Sequence, residues 1–357
     1  MMTILTSNKD IDRAAWSALV QSSPTGTWFQ TPEAYDFFAA LPQEMQPFVV
    51  GVADDNKLCG VVVGYVTQDS NALKQFFTRR AIIIGGPLLD DNISDTALEQ
   101  LLLALRKCLK QHAIYIEMRN FNDYSPWRKC FERAGFSYEE HNNFHINTDT
   151  FRPIRDSEGQ GSDIVYEKVM NGSMGKNRIR DIKTSFRDGA IVIDHPTIEQ
   201  VREYYGILRN LYTTKVKTPL FPLSFFEALY HHPDGRFIMV GLPKKNDCIE
   251  IIGGTVCVAL KDKCLYEWFV AGRDGEWKSI FPSSVATYAG IRYAAENDMP
   301  RFDMMGAGKP GDAYGVRDFK ARFGGELVEH GRYKCICKSL LFKIGVFGIR
   351  ILKRKKI

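Results

Sequence analysis

The chain has 357 residues, 45% hydrophobic and 25% charged, a mix that excludes a disordered protein and suggests about two domains. Its formal charge is +5, from 47 Lys and Arg against 42 Asp and Glu. Lys334–Ile357 alone holds eight basic residues and no acidic one, which leaves 39 basic against 42 acidic in residues 1–333 and excludes a body coated in positive charge for nucleic acid.

The opening MMTILTSNKDIDRAAW lacks the apolar run and small-residue cleavage site of a secretory signal. No run reaches the roughly 18 apolar residues of a membrane span. In chain order, Phe48–Ala53 and Leu58–Val66 read as strands around the turn Asp54–Lys57. Ala81–Ile84 is a third strand, ended by Gly85-Gly86-Pro87. A helix follows, with Thr96 and Glu99 as a capping box and Leu98, Leu101, Leu102, Leu105 and Leu109 at helical spacing. Ala113–Met118 returns as a strand, and Trp127–Ala134 forms a helix stopped at Gly135.

Asp149–Gly175 is rich in Asp, Ser and Gly and reads as a linker. Asn177–Arg187 is a basic helix with Gly189 to end it. The first order of elements then recurs. Phe237–Leu242, Ile249–Leu260 and Cys264–Ala271 are strands, Pro282 opens a helix, and Arg301–Met305 is the closing strand. The offset between the halves is nearly constant (Phe48 to Phe237, Thr96 to Ser283, Ile114 to Arg301), which predicts two similar α/β units rather than one large sheet. The expected division is 1–150, a linker 151–175, 176–338, and a tail 339–357. In that tail, Lys343, Arg350 and Arg354 share one side of a helical wheel before Lys353–Lys356. It fits an anionic membrane surface, a packed terminal element or an RNA backbone.

The eight cysteines contain no Cys-x-x-Cys, and Cys335 and Cys337 have no partners at zinc spacing. Reduced cysteines, no metal and a cytoplasmic location, with a peripheral position at the inner membrane face through the tail, are expected. Gly306–Gly311 matches G-x-G-x-x-G, but Pro310 spoils the helix start of a dinucleotide site. A glycine loop beside a substrate cleft is the better reading.

The strand–helix–strand unit ending in Phe131-Glu132-Arg133-Ala134-Gly135-Phe136 resembles the GNAT acyltransferase superfamily. That superfamily seats the pyrophosphate of acetyl-CoA on a glycine loop at a helix N-terminus. The corresponding stretches, Gly272–Lys278 and Gly85–Asp95, do not match the loop. A doubled unit without it resembles the Fem family of peptidoglycan bridge-forming aminoacyltransferases. The likeness is carried by Gly26–Thr31, Lys176–Lys183, Leu211–Lys215 through Phe226, and Phe302–Gly306 followed by Tyr314–Gly325. It implies an α/β (α+β) fold of two tandem GNAT-like domains with mixed sheets flanked by helices. It also implies transfer from aminoacyl-tRNA to an amine of a nucleotide- or lipid-linked cell-wall precursor. No cofactor and no stable protein partner are implied. A GNAT-like N-acyltransferase with another donor, and a non-catalytic binding protein, are the other readings of this fold.

Ester-to-amide transfer is downhill, so the enzyme needs positioning and a charge for the developing oxyanion. The resemblance implicates Lys320 as that fixed cation, its stem held by Phe319 and Phe323; a surface lysine is the alternative. Asp303 is expected to orient the amine or to pair a neighbouring cation. Arg178, Arg180, Lys215 and Lys217 are candidates for phosphate contacts, against a solvated charged face. Tyr266 and Trp268 alternate on one strand and would line a cleft or pack in the core. Gln30, Gly306, Tyr314 and Phe323 complete the expected substrate-binding set. Gln30 is followed by Phe37 and Phe38 where the family commonly carries a lysine.

Overall fold

The first sheet grows from a hairpin. β1 (Met2–Leu5) lies along β2 (Met45–Asp54), which turns back into β3 (Lys57–Thr67) through Asp55 and Asn56. Both turn residues hold positive φ, 46° and 64°, the pair of left-handed residues that a two-residue hairpin requires. The computed structural model describes residues 1–67, 79–151, 174–245 and 248–345.

α1 (Arg13–Ser22) and α2 (Pro32–Ala39) precede this hairpin, and β4 (Arg80–Gly85), β5 (Leu88–Leu89) and α3 (Asp95–Leu109) follow it. All five leucines expected on the inner face of α3 are buried in the core, each contributing about 2 kcal/mol. The cap of α3 is Ser94, not Thr96. Ser94 is extended and its side chain accepts from the Ala97 N–H, whereas Thr96 is already inside the first turn. β6 (Tyr115–Asn120), α4 (Arg128–Arg133) and β7 (Ser137–Glu139) follow.

The second sheet begins with β8 (Asn142–Asn147). After it come α5 (Lys176–Arg187), β9 (Ile191–Ile193), α6 (Ile198–Leu211), α7 (Leu223–Tyr230), β10 (Gly235–Pro243), β11 (Ile249–Leu260) and β12 (Cys264–Gly272). α8 (Pro282–Glu296), with proline in its first turn, crosses to β13 (Arg301–Asp303), which runs parallel to β12. α9 (Gly315–Ala321), β14 (Glu326–Glu329) and β15 (Arg332–Ile336) complete the described elements.

The first sheet has the order β1-β2-β3-β4-β6-β15-β7, with β5 beside β3; the second runs β14-β8-β13-β12-β11-β10-β9. Each is mixed and flanked by helices. The repeated order expected from sequence is therefore present, and in both units the helix links the two parallel strands.

The division of the chain differs from simple cuts at 150 and 338. One compact unit is Met1–His141 with Glu329–Ile357, and the other is Asn142–Val328. Strand pairing sets these limits. β8 pairs β13, with Asn147 opposite Arg301, so it belongs to the second unit. β15 fills the place between β6 and β7 and returns to the first. Most of the expected linker (152–173) and the tail beyond residue 345, with Arg350 and Lys353–Lys356, lie outside the described residues.

Candidate active site

The parallel strands of the second unit part company early. β12 and β13 pair only from Cys264↔Arg301 to Tyr266↔Asp303, while β12 continues to Gly272 with β11 on its other side. Opposite this parting, β12 carries a bulge. Val256 faces Phe269 and Cys257 faces Glu267, so Trp268 is the extra residue. The chain after Asp303 turns out of the sheet at Met305 and Gly306, both at positive φ (49° and 62°).

Buried polar groups brace that turn. Asp303 is fully buried, and its Oδ1 accepts from the Met305 N–H and from Asn143 Nδ2, both at 2.8 Å. His145 Nε2 lies 3.1 Å from Oδ2. Burial raises the Asp303 pKa, but His145, Arg301 and Asn143 outweigh it, and the carboxylate is held below its usual range. Asn143 Oδ1 accepts from the Gly306 N–H at 2.9 Å. From the other side, Lys320 Nζ donates to the carbonyls of Met304, Met305 (2.6 Å) and Gly306 (2.8 Å). An ammonium has three donors, and all three are engaged. Lys320 is therefore not a surface lysine: it is 5% exposed, and burial lowers its pKa to about 8 against the pull of Glu267 and Asp303.

Three participants escaped the sequence reading. Arg317, three residues before Lys320 on α9, holds the outer part of the glycine loop through the carbonyls of Ala307 (2.9 Å), Asp312 (2.9 Å) and Lys309. The i,i+3 spacing of Arg317 and Lys320 was the available signal. Asn143 was hidden because it arrives on a distant strand. Glu267, next to the bulge, is 3% exposed; burial raises its pKa to about 7, opposed by Lys320, Thr287 and Thr255. Its Oε1 accepts from Thr255 Oγ1 at 3.1 Å. A glutamate inside an apolar strand is a sequence signal that went unused.

Several expected binding residues are internal. Gln30 is fully buried in the first unit. Its Nε2 donates to the carbonyls of Val63 and Ile84 and its Oε1 accepts from the Val63 N–H, so it bridges β3 and β4 and presents nothing to a substrate. Arg178 lies over the rings of Phe319 (4.6 Å) and Phe323 (4.5 Å) and donates to Ser284 Oγ and the Phe319 carbonyl. Burial lowers its pKa to about 10, and it ties α5 to α8 and α9 rather than reaching for phosphate. Phe323 and Tyr266 are fully buried core residues. The bulge breaks the expected alternation, so Trp268 is half-buried against Phe225 while Tyr266 points into the core. Asp303 has no exposed surface with which to touch an amine.

Arg180, Lys215, Lys217 and Tyr314 remain exposed. Lys215 borders a cavity of about 520 Å³ with Glu203, Glu250, Arg273, Asp274 and Glu276. Lys217 ends the preceding turn in a left-handed conformation, φ 57°. At the mouth of α8, Asp274 Oδ1 accepts from the Ser283 N–H at 3.2 Å, and Pro282 supplies no N–H. Arg273 is answered by Glu250 and Glu276. A helix start that could receive an anion thus holds the protein's own carboxylate. Among the described residues, Asp95, Glu99 and Cys130 are near enough to share a metal, but Arg133 bonds to both carboxylates.

The strand–helix–strand arrangement with a partly opened parallel pair defines a class. Residues 176–321 match the family described as acetyltransferase (GNAT) domain. Among solved structures, FemX is 14% identical, with 95% of this chain and 99% of that chain covered and a TM-score of 0.69. A tandem GNAT protein from the clavulanic acid biosynthesis pathway is 9% identical over 94% and 99%, with a TM-score of 0.56. The C-terminal domain of a putative lysylphosphatidylglycerol synthetase from Agrobacterium fabrum is 10% identical over 97% of both chains, with a TM-score of 0.53. No curated protein matches the chain. The chain has the tandem GNAT fold, and these findings support an acyltransferase. Within that class its fold is Fem-like.

Proposed function

We propose that the chain is an aminoacyltransferase, moving an amino acid from aminoacyl-tRNA to an amine of a nucleotide- or lipid-linked peptidoglycan precursor. The observation that carries this reading is the occupied mouth of α8. With Asp274 on the Ser283 N–H and Glu250 and Glu276 nearby, a pyrophosphate has no seat there, so the donor is of another class than acetyl-CoA. The opened edge of β12 beyond Tyr266 offers the place for an extended acyl donor.

In this reading the acceptor amine attacks the ester carbonyl, the C–N bond forms, and the ribose oxygen leaves with a proton. Lys320 and Asp303 act as positioning residues: they fix the Met304–Gly306 turn at the mouth of the opened strand pair. A fixed wall of this kind supplies orientation without reorganisation. Arg180, Lys215 and Lys217 provide exposed positive charge for phosphates.

The test is transfer of labelled amino acid from charged tRNA to muropeptide precursor by the full chain. Loss of transfer on RNase treatment supports the reading. RNase-resistant transfer, or transfer from acetyl-CoA, overturns it in favour of an N-acyltransferase with another donor.

A further inference from the structure

The chain after β15 is anchored to the first unit and then presents an apolar face to water. The Cys337 and Lys338 N–H groups both donate to the Ile114 carbonyl, and Lys338 Nζ donates to the Gln111 carbonyl. A helix then begins, described over 339–345. Phe342 packs edge-on against Tyr115 of β6 at 5.5 Å, which fixes the inner side of that helix. Leu340 and Ile344 are four residues apart, so they share a face. Phe342 lies roughly 160° from each of them around the helix axis. Leu340 is 71% exposed and Ile344 47%, and Ile336 at the end of β15 is 46% exposed.

A helix docked on one side ordinarily turns polar residues outward on the other. Here the outward side carries Leu and Ile, with Lys343 on the same turns. The stretch Lys334–Ile357 contributes eight positive charges and no negative one, although the remainder of the chain is slightly acidic. An apolar stripe with one-signed basic flanks is complementary to an anionic lipid surface: the side chains enter the acyl boundary and the lysines meet the headgroups. A protein partner would match the apolar stripe but gives no reason for a stretch with eight positive charges and no negative one, of which Lys334 is paired with Glu139. RNA would match the charge but gives no reason for outward Leu340 and Ile344. Among the described residues no helix is long and apolar enough to cross a membrane.

We propose that the face carrying Leu340 and Ile344 seats the protein on an anionic bilayer, with the basic stretch as its electrostatic partner. This goes beyond the transfer reaction and does not depend on it. The experiment is co-sedimentation of the full chain with vesicles of equimolar phosphatidylglycerol and phosphatidylcholine, and with phosphatidylcholine alone. Binding is expected to the anionic vesicles only, weakening at least about tenfold between roughly 0.1 and 0.5 M salt. The pair Leu340→Glu and Ile344→Glu is expected to weaken it at least about tenfold with an unchanged melting temperature, and Leu340→Ser with Ile344→Ser gives the same test without added charge. Equal binding by these variants and the parent overturns the proposal, as does binding to neutral vesicles alone or displacement of the protein from vesicles by uncharged tRNA. Vesicle binding is read without donor or acceptor, so its failure leaves the transfer reaction standing, and loss of transfer leaves the docking face standing.

Discussion

The two units close the same strand pair to different lengths. In the first, β4 and β6 pair over six residues, from Arg80↔Tyr115 to Gly85↔Asn120. In the second, β12 and β13 pair over three, and the strands part where Asp303 ends β13. The polar groups buried near each pair differ accordingly. The first unit bridges β3 and β4 with a neutral amide, Gln30, which needs no counter-charge. The second buries Glu267, Asp303 and Lys320 around a turn that has left the sheet. The first unit also buries a charge, Glu117 of β6, but pairs it directly with Arg119 and Arg332, whereas in the second Lys320 is held by backbone carbonyls and Glu267 by Thr255. On that difference we place the proposed chemistry in the second unit.

Lys320 is the strongest point at which to break that contrast. Lys320→Ala leaves three carbonyls without their donor and the buried Glu267 without the cation that opposes its burial. Transfer is expected to fall about 100-fold, in kcat rather than KM, with a stability loss of about 3 kcal/mol. Steady-state kinetics with a denaturant titration reads both, and a variant that is folded and fully active would remove the site from this turn. Gln30→Ala probes the opposite side. It should cost about 3 kcal/mol, yet leave kcat of the folded protein unchanged. A selective rise in KM there would instead return Gln30 to substrate binding.

Glu267→Gln sharpens the comparison through pH. The Glu267 pKa is raised to about 7 on folding, so the folded state holds the extra proton and stability declines as pH rises from about 4.5 to 7. The Lys320 pKa is lowered to about 8, so the unfolded state holds the extra proton and stability climbs between about 8 and 10.5. Urea midpoints are expected to pass through a shallow minimum between these windows. Glu267→Gln should abolish the acidic limb and, without the neighbouring carboxylate, move the alkaline limb to lower pH. An unchanged profile would separate the two groups. Arg180→Ala is the smallest change, within about 0.5 kcal/mol, because this side chain is 69% exposed beside Asp181. Its expected effect is a shallower salt dependence of transfer.

Much of the architecture could be read from sequence because it is local. The leucines of α3, the Asp55-Asn56 turn and Pro282 at the start of α8 each act within a few residues of themselves. The misses were contacts between distant positions. Nothing near Gln30 announces that it will bridge Val63 and Ile84, and Arg178 reads as a surface cation until Phe319 and Phe323 close over it. The bulge at Trp268 is invisible in a pattern of alternating residues, yet it decides which of Tyr266 and Trp268 is buried. Ser94 won over Thr96 by a two-residue shift of the helix start. For the site, the resemblance pointed to the stretch Tyr314–Gly325, but not to Lys320 engaging backbone carbonyls with all three protons.

The place of β15 has a consequence for synthesis. A ribosome releases β6 and β7 well before it reaches Arg332, and every strand of the second sheet is made in between. Through that interval β6 and β7 lack the neighbour that later separates them, and their open edges resemble those that recruit foreign strands. The first unit to be translated is thus the last to be finished, and a nascent chain halted before Arg332 carries a complete set of second-unit elements beside an unfinished first sheet.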